Sequence, residues 1–221
     1  MQTSAKVVSA SPVTRTRGSG PRRQGNPRRL HFGGTFNPIH LGHLICARAA
    51  AEALGFDKVV LIPSGRPPHR NDPDLALAEH RLAMCQSAVA QDRMFEVSDV
   101  ELRRDGPSYT HATAGVLGEQ LGLPIDWLIG ADQLPTLPSW KDAATLPQRV
   151  RFHVMRRPEH AIDWSAIPAP WDEIRDRAVQ TPRVEISATV VRERLRTGLS
   201  IRYLVPHTVN DYIREHRLYT A

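Results

Sequence analysis

Residues 33 to 44, GGTFNPIHLGHL, place His40 and His43 three positions apart directly behind a double-glycine turn. Imidazoles can hold a metal, move protons or hydrogen-bond an anion, and the neighbouring residues decide among these. Zinc would need a third ligand at recognisable spacing, and the sequence shows none. One or both histidines could also serve as ordinary helix caps. Gly33 and Gly34 let a backbone approach a ligand closely, and Thr35 adds a hydroxyl. A helix starting near His40 to His43 would present N–H groups and the positive end of its dipole. The segment reads as a seat for an anion. It fits neither G-x-G-x-x-G nor G-x-x-x-x-G-K-[ST], so the dinucleotide-binding fingerprint and the P-loop are both excluded.

A second segment, EISATVVRERL at 185 to 195, carries the complementary chemistry. Ser187 and Thr189 stand where a strand gives way to a helix, so their hydroxyls and the first helical N–H groups point the same way. Arg192 follows within one turn of Thr189. A Ser or Thr cap before a basic helix is common, and the segment alone says little. Paired with the first, it makes a second phosphate grip on the same sheet edge.

The elements around them alternate. A strand at 30–32 runs into the glycine turn, a helix follows from about 43 to 54 and is closed by Gly55, and KVVLIP is the next strand. Strand, helix and strand so close together form a βαβ unit with parallel strands. SGRPPHRNDPD then reads as a long surface loop, a kind that is usually functional, and a helix runs from about 77 to 90. MFEVSDV reads as a strand, THATAGVLGEQLG as a helix capped by Thr110 and closed by Gly122, and IDWLIG as a buried strand. RFHVM and RVEIS are further strands, with residues 158 to 182 irregular or a short helix between them. Ser187 or Thr189 caps VVRERLR, Gly198 ends it, and VPHTVNDYIREHRLY is a last helix. The pattern predicts an α/β protein: a Rossmann-like, doubly wound, mainly parallel sheet of about five strands with flanking helices and a C-terminal helical segment. Such sheets bind ligands at the carboxyl ends of their strands.

With 221 residues, 41% of them hydrophobic, the chain can bury one sizeable core. No stretch approaches the roughly 20 apolar residues of a membrane helix, and the N-terminus lacks the apolar core of a secretory signal, so a cytoplasmic protein is expected. Cys46 and Cys85 fall in amphipathic helices and read as reduced packing residues. The net charge of +6 is concentrated in residues 1–29, which carry seven basic residues and no acid; the remainder has 22 basic against 23 acidic residues. Rich in Ser, Thr, Pro, Gly and Arg, that segment cannot offset its own ordering entropy and reads as a disordered tail before a single domain at 30–221. Its composition also fits a transit peptide, or a weak tether to RNA or a membrane surface. The nearly neutral body argues against a specific nucleic-acid partner.

GGTFNPIHLGHL is similar to the nucleotidyltransferase signature in which a T/H-x-x-H pair ends a glycine turn, and ISATVVRERL resembles that superfamily's late Ser/Thr-Arg motif. Between them lie IPSGRPPHR, PSYT at 107 to 110, IGADQL at 129 to 134 and LPSW at 137 to 140. In this order the set resembles bacterial nicotinate-nucleotide adenylyltransferases over residues 30 to 218. It departs from them at Asn37, where Asp is frequent, at Ala188, where a second Ser is usual, and at Arg70, where Lys is common.

The resemblance implies transfer of AMP from ATP to nicotinate mononucleotide, giving nicotinate adenine dinucleotide and pyrophosphate. It implies His40 and His43 on the ATP phosphates, with His43 nearest the α-phosphate, and Arg192 with Ser187 and Thr189 on the β- and γ-phosphates. Gly33, Gly34, Thr35, Phe36, Gly130 and Asp132 fall on the ATP side. Trp140 falls under the nicotinate ring, with N–H groups near Thr110, His111 and Lys141 at its carboxylate. Mg²⁺ is expected as a counterion held mainly by the triphosphate, not by a protein ligand set. The motifs contain no evident covalent nucleophile, so the acceptor phosphate attacks directly. Two other readings stand beside this one. A pantetheine-phosphate or polyol-phosphate acceptor is opposed by PSYT and LPSW; a non-enzymatic RNA-binding protein acting through the basic tail is opposed by the nearly neutral body.

Overall fold

The computed structural model describes residues 26–68, 73–156 and 162–220. Its sheet is built from runs of apolar residues covered on both sides. β1 (Arg29–Gly34) and β2 (Lys58–Pro63) pair in parallel along their whole length, Arg29 with Lys58 through Gly34 with Pro63. β3 (Phe95–Val97) adds beyond β2; on the other side follow β4 (Ile125–Gly130), β5 (Val150–Arg156) and β6 (Ala178–Gln180), all parallel. The order β3-β2-β1-β4-β5-β6 changes direction between β1 and β4, which opens a crevice at the carboxyl ends of those two strands.

Alternation along the strands sorts two cores. Val59 and Leu61 of β2 face a core that also holds Ala47, Ala50 and Ala51 of α1 (Leu41–Leu54), Met84 and Cys85 of α2 (Ala78–Val89), Val191 of α5 (Ala188–Arg196), and Val209 and Ile213 of α6 (His207–Glu215). Val60 and Ile62 face the opposite core, with Trp127, Phe152 and Val154 from the sheet, Ala114 and Leu117 of α3 (Thr110–Leu121), and Leu146 of α4 (Leu146–Arg149). The buried side of α1 is mostly alanine, so this helix lies close to the sheet. Gly55 ends it in the left-handed conformation, φ 71°. No helix among the described residues is long and apolar enough to cross a membrane, and neither Cys46 nor Cys85 is in a disulfide.

Three of the differences between the structure and the sequence reading concern residues singled out above. RVEIS is extended but outside the sheet; the sixth strand is Ala178–Gln180. The ladder continues one bond further, from the Thr181 N–H to the Arg156 carbonyl at 3.1 Å, and Pro182, which has no N–H, stops it. Val184 and Ile186 still turn inward while Arg183 and Glu185 pair in solvent, so the alternation that suggested a strand is real and only its ladder is missing. Thr110 is the first residue of α3 and not its cap; Tyr109 holds the cap position without a side-chain bond. Thirdly, β1 starts at Arg29, one residue before the boundary read from the sequence. Residues 69–72, with Arg70, residues 157–161, and residues 1–25 of the basic tail lie outside the described residues.

Arg28 and Arg29 are tied in. The Arg28 N–H donates to Asp57 Oδ2 at 2.8 Å, its guanidinium donates to the Gly55 carbonyl at 3.0 Å and covers the Phe56 ring at 4.4 Å, and Arg29 pairs with Glu96 at 3.0 Å. Together these contribute roughly 2 kcal/mol, or about 5 °C for a domain of this size. A chain beginning at residue 30 is therefore expected to melt several degrees below one beginning at residue 26; coincident melting curves would show these contacts to be energetically idle.

Candidate active site

The turn after β1 closes on its own aromatic rings. A Cβ on Gly33 would stand 2.5 Å from Trp127 Cζ2, and one on Gly34 would stand 2.9 Å from the tip of the Phe36 ring. The two glycines expected to admit a ligand thus first admit Trp127 and Phe36. Phe36 sits at φ 47°, which costs a non-glycine residue about 1–2 kcal/mol. Edge contacts of its ring with Phe32 (5.6 Å) and His43 (5.1 Å) hold it there. Thr35, beside it, is partly exposed.

His40 is the N-cap of α1, and its backbone N–H donates to His43 Nδ1 at 3.2 Å. The two rings stack with centroids 3.6 Å apart and planes 22° off parallel. Because Nδ1 of His43 accepts, the neutral ring carries its proton on Nε2, which makes that nitrogen a donor. Burial pushes the His40 imidazole down to about 4. Burial, and then the neighbouring His40, push His43 well below the ordinary histidine value. The pair is therefore neutral near pH 7, and His40 Nδ1 is buried with no hydrogen-bond partner among the described residues. The backbone N–H groups expected to be open here are largely engaged: that of Leu41 donates to the Leu204 carbonyl at 2.9 Å and that of His43 to the His40 carbonyl at 3.0 Å. The side chains are what this helix start offers.

Arg192 comes to the same turn. It is 6% exposed, and its Nη1 donates to the Asn37 carbonyl at 2.8 Å across a separation of 155 residues. Ser187 caps α5, its hydroxyl oxygen accepting from the Val190 N–H at 3.2 Å, and Thr189 is exposed in the first turn. The two segments singled out in the sequence therefore meet.

A second group lies toward β4. His31 pairs in register with Trp127, so Gly34 and Gly130 stand level where the two strands end. Asp132, exposed in the 3₁₀ turn that follows, accepts from Gln133 Nε2 at 2.7 Å. Thr110 and His111 open α3, and His111 reaches across to the segment after Trp140: its Nδ1 lies 3.3 Å from Asp142 Oδ2, and its Nε2 lies 3.2 Å from the Thr145 hydroxyl. Trp140 Nε1 donates to the Thr136 hydroxyl at 3.1 Å, and its ring meets Phe152 edge-on at 6.0 Å. Lys141 is exposed, its Nζ 3.7 Å from Asp142. The paired strands β1 and β4 connect this group to the histidine turn.

The sequence reading missed the residues that hold the turn. Arg81, 1% exposed, donates to the carbonyls of Ala76 (3.0 Å), Thr35 (2.8 Å) and Gly65 (3.2 Å), which ties the turn after β1 to both ends of the loop between β2 and α2. Its signal is its helical position, since Arg81 lies on the buried side of α2 with Met84 and Cys85, where an apolar residue is expected. Asn37, 1% exposed, accepts at Oδ1 from the Ala76 N–H (3.1 Å) and the Tyr219 hydroxyl (2.8 Å), and donates from Nδ2 to the Asp74 carbonyl (3.0 Å).

The chain matches the family model described as Cytidylyltransferase-like over residues 31–194. It is 43% identical over 191 residues to a probable nicotinate-nucleotide adenylyltransferase of Roseiflexus sp. (strain RS-1), covering 85% of this chain and 96% of that one. It is 38% identical over 189 residues to the protein of the same description from Enterococcus faecalis (strain ATCC 700802 / V583), covering 85% and 83%. Among solved structures, the Plasmodium falciparum nicotinic acid mononucleotide adenylyltransferase complexed with NaAD superposes with a TM-score of 0.64 at 18% identity, over 88% of this chain and 98% of that one, which is a likeness of fold.

The neutral His40 couples stability to pH. An unfolded histidine titrates near 6.5 and this one near 4 in the folded protein. The stability it contributes is therefore complete above pH 6.5 and lost as pH falls toward 4, on the order of 3 kcal/mol between these limits. Wild-type protein is expected to lose melting temperature across that window and His40→Gln to lose distinctly less; parallel slopes would show that His40 is not depressed.

Proposed function

Because the chain belongs to the nicotinate-nucleotide adenylyltransferase family, we propose that it transfers AMP from ATP to nicotinate mononucleotide at the turn between β1 and α1. A 5′-phosphate oxygen of the mononucleotide attacks the α-phosphorus in line, the bond from that phosphorus to the β-phosphate bridging oxygen breaks, and pyrophosphate leaves. The observation that carries this reading is the meeting of Asn37 and Arg192 beside the stacked histidines. It gathers donors from two distant segments around one point at the sheet's carboxyl edge.

Each group has a role set by its surroundings. His43, held as the Nε2–H tautomer, donates to the α-phosphate, where charge develops; a neutral imidazole does this without first being protonated. His40 presents its buried Nδ1 beside it. Arg192, fixed on Asn37, takes the β- and γ-phosphates together with Thr189 and the hydroxyl proton of Ser187, whose oxygen already accepts from Val190. Gly33, Gly34, Thr35 and Phe36 shape the ATP side of the turn, with Gly130 and Asp132 across the strand pair. The side chains gathered at the turn are imidazoles and a guanidinium, which suit phosphate oxygens and lack the carboxylate and carbonyl oxygens that a hard cation takes. Mg²⁺ would be held mainly by the triphosphate and would supply charge neutralisation there.

The acceptor is assigned to the second group. Trp140, oriented by Thr136 and Phe152, stacks on the pyridine ring. The N–H groups of Thr110 and His111 belong to the first turn of α3, where a helix has no partners of its own to offer, and with the Lys141 N–H they face the ring carboxylate. Only acceptors suit that position, so a carboxylate is preferred to a carboxamide, whose NH₂ would meet other donors. Cytoplasmic location is part of the same reading, in keeping with two cysteines outside any disulfide.

Pyrophosphate release measured with ATP and each mononucleotide tests the assignment. Wild-type enzyme is expected to form nicotinate adenine dinucleotide and to favour the acid over the amide by about tenfold or more in kcat/KM, while Trp140→Ala weakens both acceptors. Equal use of the two would remove the acid-specific pocket, and no product with either would overturn the function. His43→Ala is expected to lower kcat by roughly 100-fold with the fold intact; near-normal turnover would make His43 structural.

A further inference from the structure

The segment after α5 does more than complete the core. The Leu204 carbonyl takes the first N–H of α1, and α6 then packs on α2, with Val209 and Ile213 buried, the Tyr212 hydroxyl 3.0 Å from His80 Nδ1, and the Thr208 hydroxyl donating to the Ser87 carbonyl at 2.9 Å. Past α6 the chain does not simply run out. The Leu218 N–H donates back to the Ile213 carbonyl at 3.0 Å, and Arg217 (φ 49°) and Tyr219 (φ 62°) both adopt the left-handed conformation that side chains disfavour. Those two residues lie in the turn that follows α6, and the Tyr219 hydroxyl ends 2.8 Å from Asn37 Oδ1 across a separation of 182 residues.

Asn37 is where this contact gains its meaning. Its side-chain oxygen has two lone pairs, one taken by the Ala76 N–H and the other by the tyrosine, so the hydroxyl donates. Its own carbonyl carries Arg192. The amide plane set by Tyr219 and Ala76 on one side and by the Asp74 carbonyl on the other therefore fixes the peptide on which the guanidinium rests. We propose that Tyr219 is a positioning residue for catalysis: its hydroxyl orients Asn37, and through Asn37 it sets the guanidinium of Arg192 for the triphosphate. The C-terminal segment is a working part of the ATP site, although Tyr219 itself touches no substrate. This inference rests on reading the turn as the triphosphate site.

Tyr219→Phe keeps the ring and removes the hydroxyl that donates to Asn37. It is expected to lower kcat/KM for ATP by about three- to tenfold, the effect of one hydrogen bond, with KM for the mononucleotide unchanged. Tyr212→Phe, which removes the α6–α2 bond to His80 without reaching Asn37, is the control. It should lower melting temperature at least as much and leave the ATP parameters alone. In an Arg192→Lys background Tyr219→Phe should add little, because the two act through one peptide. Unchanged ATP kinetics in Tyr219→Phe, an equal ATP defect in Tyr212→Phe, or full additivity with Arg192→Lys would each overturn the proposal. A wild-type enzyme that makes no dinucleotide would instead overturn the reading of the site on which it rests.

Discussion

One guanidinium on one carbonyl joins the two distant segments that meet at the turn after β1. Arg192 and Asn37 are 155 residues apart, and closing so long a loop for a single hydrogen bond would be unfavourable if nothing else drew the ends together. The sheet order does that work. β1 lies at the centre, and Val191, the residue before Arg192, is buried in the same core as Leu30 and Phe32 of β1. Apolar packing brings α5 to the strand end, and the polar contact then has only a short distance and an angle to settle. Arg81 plays the corresponding part on the other flank, where its buried guanidinium donates to three backbone carbonyls.

In the proposed reading the turn takes a polyanion, yet its imidazoles carry no charge near pH 7: burial holds His40 neutral, and burial and then His40 hold His43 neutral. The separation of tasks is chemically sensible. Arg192 brings a planar guanidinium fork, whereas His43 brings a directed Nε2–H donor whose tautomer is set by the His40 backbone. An arriving triphosphate would pull both imidazoles toward protonation and burial resists it, so ligand charge and desolvation act against each other at this turn.

Much of this was legible in the sequence wherever the signal is local. The glycine turn, the helix ended by Gly55, and the runs KVVLIP and IDWLIG announce themselves by residue type and spacing, and the resemblance carried by six ordered motifs pointed to the family. Local signals misled where two structures share one pattern. RVEIS alternates as a strand does, but Pro182 cuts it from the ladder, and the three residues Ala178–Gln180 that take its place are too few to show a period. Asn37, Arg81 and Tyr219 were hidden for a different reason. Their partners lie between 5 and 182 residues away, and nothing in the flanking sequence of a buried arginine or a terminal tyrosine names the carbonyl or amide it will meet.

The proposed arrangement of donors, a guanidinium and two substrate seats describes a catalyst that holds its reactants and contributes no atom to the bonds being exchanged. The stereochemical course at the α-phosphorus tests this most directly, by turnover of ATP made chiral there with sulfur and oxygen isotopes and analysis of the configuration in the dinucleotide product. A single in-line displacement predicts inversion. Retention would require two displacements, with a covalent nucleotidyl-enzyme between them, and would contradict the account at its centre.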